Sequence, residues 1–97
     1  MTFSFHPEAE REFIEAINYY EEREDGLGYA FSVGIYSAVQ NILDYPKAWP
    51  IFEDDIRRCL ANRFPYGVLY SIEENGHILL VAIMNLNRAP DYWKDRY

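Results

Sequence analysis

Seven consecutive residues near the end of this chain, Ile78-Leu79-Leu80-Val81-Ala82-Ile83-Met84, are apolar without interruption. A strand points successive side chains to opposite faces, so this one has no polar face to give to water. The run is also far too short to span a bilayer, which takes about 20 residues as a helix. It therefore predicts a sheet strand covered on both sides. Asn75-Gly76 lies just before it and another apolar stretch, starting at Gly67, precedes that pair. Asn-Gly between strand-like runs marks a hairpin, with a type I′ turn expected because both residues tolerate positive φ. A third strand-like segment begins at Ile56. The expected strands are 56–62, 67–73 and 77–85.

The first half of the chain carries a different period. Ala9, Phe13, Ala16, Ile17 and Tyr20 recur at spacings of three and four, and Phe31, Ile35, Ala38, Val39, Ile42 and Leu43 do the same. Each set forms one apolar helical stripe. Pro7 suits a first helical turn, and Glu8, Glu10 and Glu12 suit the positive end of the helix dipole. Asp25-Gly26 separates the two helices by a tight turn, which predicts an antiparallel hairpin. Asp44-Tyr45-Pro46 ends the second, and a loop is expected through Trp49-Pro50 to Asp55. Gly34 inside the second helix is expected to let it approach the first closely. Thr2 to Phe5, short and aromatic, reads as an initial strand. The fold class is α+β, in the order β-α-α-β-β-β: an antiparallel sheet with the helical hairpin packed on one face.

Ninety-seven residues make one domain, 1–97, and the aromatic content, mostly tyrosine, helps so small a core bury enough area. The single cysteine, Cys59, excludes an internal disulfide and fits a reducing cytoplasm; the first residues lack the pattern of a signal peptide. Charge is unevenly placed. Residues 1–55 hold three cations against twelve carboxylates, and residues 56–97 hold six against four. The net −7 argues against broad nucleic-acid binding while leaving room for a local basic patch.

No standard catalytic constellation is present. His6, His77 and Cys59 lack ligand spacing, so no metal or cofactor is expected. The first-helix glutamates, Glu12 among them, alternate with Arg11 and Arg23 and read as a solvated face. There is no phosphate loop and no nucleophile elbow. What remains is a set of arginines and rings: Arg57, Arg58, Arg63, Tyr66, Arg88, Tyr92 and Trp93. Singly, each reads as an ion pair or a core ring with a polar rim, and strand alternation puts Arg57 and Arg58 on opposite faces. Together, guanidinium groups and rings suit RNA or a charged protein partner.

Pro7-Glu8-Ala9-Glu10, Ile56-Arg57, Arg63-Phe64-Pro65-Tyr66-Gly67-Val68-Leu69-Tyr70 and the closing stretch Ala82 to Trp93 resemble the RelE/ParE toxins of type II toxin–antitoxin systems. The resemblance covers nearly the whole chain and is closer to the ParE-like, plasmid-stabilisation branch. It implies a cytoplasmic, growth-inhibiting toxin neutralised by a cognate antitoxin, with Arg57, Arg58, Tyr66 and Trp93 as partner-binding residues. The ParE branch implies a protein target such as DNA gyrase and no nuclease. The RelE branch implies a ribosome-dependent mRNA endoribonuclease, and on that reading Arg63, Arg88 and Tyr92 would be catalytic. A non-toxic member that only binds an antitoxin is the third reading. Gly67 in place of an arginine and the acidic balance, with Glu53-Asp54-Asp55 in place of a lysine-rich approach, favour the first, whereas Asn85 in place of the usual histidine motivates the third. Neither membrane association nor sequence-specific DNA binding is implied.

Overall fold

The computed structural model describes residues 2–96. The elements are β1 (Phe3–Phe5), α1 (Pro7–Arg23), α2 (Leu27–Asp44), β2 (Ile51–Glu53), β3 (Ile56–Leu60), β4 (Tyr66–Ile72), β5 (Ile78–Asn85) and a closing 3-10 turn, Lys94–Arg96. The sheet runs β1-β5-β4-β3-β2. It is mixed, not wholly antiparallel, because β1 pairs with β5 in parallel. His77 fastens that pair: its ring nitrogens lie 2.6 Å from Thr2 Oγ1 and 2.8 Å from Ser4 Oγ. β2 lies within the stretch expected to be loop; three residues are too few to show a period.

The β4–β5 hairpin forms at Asn75-Gly76, by a different turn from the expected type I′. Only Gly76 has positive φ, at 84°. Gly76 N donates to Glu73 O at 2.9 Å, and Glu73 N to His77 O at 2.8 Å. This is a four-residue turn closed by a left-handed glycine, and Asn75 contributes its side chain instead, accepting from His77 N at 3.0 Å.

Both helices start and stop where their signals stand. Pro7 opens α1 behind His6, whose Nδ1 accepts from Glu8 N at 3.1 Å. α2 has no side-chain cap of its own, but Glu21 of α1 accepts from Gly26 N and Gly28 N at 3.0 Å each. A carboxylate there satisfies free amides and meets the positive end of the helix dipole. The close approach of the helices occurs at Gly28, not at Gly34. A Cβ on Gly28 would lie 2.5 Å from Ile17 O, which is backbone and cannot yield cheaply. Gly28→Ala is therefore expected to destabilise the fold by about 2 kcal/mol despite alanine's better helix propensity. Urea denaturation of the variant measures this.

The core lies in two layers. Ala9, Phe13, Ala16, Phe31, Ile35, Ala38, Val39 and Ile42 of the helices pack on Cys59, Val68, Tyr70, Ile78, Leu80 and Ile83 of the sheet. The other face gathers Ile56, Leu69, Val81, Ala82 and Met84 around Trp93. The second cover that the apolar β5 demands is thus the segment after the last strand. Trp93 is 1% exposed, and its Nε1 donates to Pro90 O at 2.7 Å.

Candidate functional site

β1 is too short to flank all of β5. Its pairing reaches Leu80, and His6 N adds one bond to Leu80 O at 2.9 Å. Beyond that point the outer edge of β5 is met by side chains. Glu12 Oε1 accepts from Ile83 N at 3.0 Å, and Arg96 Nη1 donates to Val81 O at 3.3 Å. Val81 is also where the β4–β5 register slips: Leu69 faces Ala82 and Tyr70 faces Leu80. A bulge turns backbone groups aside, and here Arg96 meets the displaced carbonyl.

Glu12 is the centre of this arrangement, and the helical pattern misplaced it on a solvated face. Its side chain is 12% exposed. Tyr92 Oη donates to Oε2 at 2.6 Å, Arg96 Nη1 to Oε1 at 2.8 Å and Nη2 to Oε2 at 3.0 Å, with Arg88 Nη1 at 3.5 Å. Both guanidiniums lie over the Tyr92 ring, Arg88 at 3.7 Å and Arg96 at 5.0 Å from its centroid. The signal that marks Glu12 is in the tail. Arg88, Tyr92 and Arg96 recur every fourth residue and need an acceptor, which a helix-only reading of Glu12 cannot supply.

This geometry bears on the residues that the RelE branch would use. Tyr92 is pushed far above the ordinary range of a phenol by burial and by its bond to Glu12. Such a hydroxyl stays protonated at neutral pH, and both causes oppose its use as a general base. Arg88 is half exposed and turned to Glu12. Arg63 is not part of this cluster. It sits in the β3–β4 turn at φ 71° with its guanidinium 5.2 Å from the Phe64 ring centroid. The nearby Gly67 has a packing reason: a Cβ there would meet the Arg58 methylenes at 3.0–3.1 Å.

The four residues assigned to partner binding also separate. Arg57 Nη1 donates to Trp49 O at 2.6 Å and Lys47 O at 3.1 Å, tying down the loop after α2. Arg58 lies on the other face, 4.4 Å over the Phe52 ring. Tyr66 packs its ring against Phe31, with centroids 4.9 Å apart. Trp93 is core, so in this conformation it offers a partner no surface.

Burial raises a second tyrosine as well. Tyr70, donating to Pro46 O at 2.6 Å, is pushed up to about 12 by desolvation. A phenol raised in the folded state contributes stability that is complete below the unfolded pKa, near 10, and is lost as pH rises through the folded value. Melting temperatures are therefore expected to fall above about pH 10, with a shallower fall in Tyr92→Phe.

A cleft of about 620 Å³ opens between α2 and β3, next to Arg63 and away from Glu12. Among the described residues no group of three or more His, Cys, Asp or Glu is placed to hold a metal ion, and no helix is long and apolar enough to cross a membrane.

Residues 3–90 match the family model described as the ParE toxin of the type II toxin–antitoxin system parDE. The chain belongs to the ParE toxin family. A solved structure of the chromosomal ParDE toxin–antitoxin system from P. aeruginosa aligns with TM-score 0.71 at 13% identity, over 90% of this chain and 97% of that one. At that identity the likeness is one of fold. No curated protein sequence gives a significant match. This ParE-family toxin shares with the ParDE chain a helical hairpin on a sheet, as the sequence resemblance implied.

Proposed function

We propose that this toxin inhibits growth in the cytoplasm by binding a protein target, DNA gyrase being the kind its branch implies, and that a cognate antitoxin neutralises it. The observation that carries this reading over RNA cleavage is the Glu12 cluster. Attack by a ribose 2′-hydroxyl needs a base and free cations facing the charge that develops. Here Arg88 and Tyr92 face a carboxylate, Tyr92 is held protonated, and Arg63 lies with another cleft. The acidic Glu53-Asp54-Asp55 before β3 adds repulsion toward RNA.

Arg88→Ala and Tyr92→Phe test this. Each removes one contact to Glu12 and leaves the Arg96 pair in place, so each variant is expected to fold and to keep its growth arrest. Loss of arrest in both, with folded protein confirmed, counts against the proposal and for the nuclease.

A further inference from the structure

We propose that the cleft between α2 and β3 receives an acidic segment of a protein partner, and that Gly34 is the hole into which that segment seats an aliphatic side chain. The inference rests on the reading that a protein antitoxin holds this toxin, and it assigns where and by what chemistry.

Gly34 has no internal explanation. It lies inside α2, where glycine is the poorest helix former apart from proline. A Cβ added there would meet only Phe64 Cδ2 at 3.7 Å and Cε2 at 3.9 Å, ordinary contacts that require nothing to move. Gly28, by contrast, is demanded by the Ile17 carbonyl. The missing methyl at Gly34 leaves the cleft deeper than the packing of this chain needs.

The walls fit an apolar anchor. Val33 is about half exposed, and Phe64 and Cys59 are buried behind it. The charge is selective too. Arg63 lines the cleft and no carboxylate does, in a molecule with 16 carboxylates against nine lysines and arginines, while the Arg58 guanidinium lies on the other face of the sheet, over Phe52. Arg63 forms no ion pair among the described residues, and its guanidinium stays beside the Phe64 ring that faces Gly34. Backbone is available as well. The register of β2 with β3 ends at Arg57, with Arg58 N donating to Pro50 O at 3.1 Å, and no described strand flanks Leu60 on that side. A segment entering here meets a hole, an apolar wall, a cation and an open strand edge. An acidic peptide with one aliphatic anchor satisfies all four.

The test is selection of a phage-displayed library of random 12-residue peptides on the folded chain, followed by anisotropy titration of the selected peptides as synthetic compounds. Selected sequences are expected to carry Leu, Ile or Val with Asp or Glu nearby. They should bind Gly34→Ala about tenfold more weakly, as expected of a pocket that loses the space of one methyl group. The same variant should melt roughly 4 °C higher, because alanine improves the helix. Opposite movement of affinity and stability separates a hole from a structural glycine. Selection on Arg63→Glu should lose the preference for acidic peptides. Failure to select any binder, or binders indifferent to Gly34→Ala, would overturn the proposal. So would an antitoxin that relieves growth arrest and binds Gly34→Ala as tightly as the native chain. That last result leaves the toxin reading intact, whereas absence of growth arrest and of any neutralising antitoxin removes the reading itself.

Discussion

Glu12→Ala is expected to cost about 3 kcal/mol of stability, most of it from charges left behind rather than bonds lost. Arg96 is 11% exposed, and without Glu12 its guanidinium keeps only the Val81 carbonyl as a hydrogen-bond acceptor among the described residues. Ile83 N and Tyr92 Oη lose their acceptor in the same step. Stranding a nearly buried charge costs more than the net worth of the pair, so Glu12→Ala combined with Arg96→Met should cost less than the sum of the two single changes. Chemical denaturation of the four proteins measures this. Equal, additive costs below about 1 kcal/mol would mean that the cluster is only a surface ion pair.

Trp93→Ala is expected to have the larger effect, about 3–5 kcal/mol, because the indole is the cover for one whole face of the sheet. Ile56, Leu69, Val81, Ala82 and Met84 gather around it, and Phe52 packs at 6.4 Å between ring centroids. Domains of this size have only about 5–15 kcal/mol of stability, so the variant should be marginal at 37 °C. It should also bind a hydrophobic dye, since an uncovered apolar sheet face cannot solvate itself. Trp93→Phe should recover part of the loss. A calorimetric melt of the two variants checks the order.

The Trp93 result connects to what the sequence made legible. The uninterrupted apolar run of Ile78 to Met84 required covers on two faces, yet the helical stripes accounted for one. Trp93 and the last turn were at hand, but a short tail with no period of its own does not announce what it packs on. The helices were read well because Pro7, Asp25-Gly26 and Pro46 act locally. The parallel pairing of β1 was not legible, since no local signal records the direction in which distant strands meet. The close approach was assigned to Gly34 rather than Gly28 for a related reason: propensity marks either as costly in a helix, and only the register of the hairpin shows which one touches backbone.

The candidate residues divide in the same way. Arg57, Arg58 and Arg63 stood out by type, but type does not tell a guanidinium that holds a loop, as Arg57 does, from one left at a cleft rim, as Arg63 is. Glu12 was missed because its partners lie more than 70 residues away in the chain. The resemblance brought Arg88 and Tyr92 forward as catalytic, and the carboxylate that occupies them became visible only in three dimensions.

The central claim is a ParE-family toxin that acts on a protein target without cutting RNA. Induced expression in bacteria lacking an antitoxin tests it most directly, with message ends mapped and the DNA-damage response followed in the same culture. Growth arrest with a damage response and intact messages is the predicted result. Messages cut within minutes on ribosomes, and spared in Arg88→Ala, would contradict it.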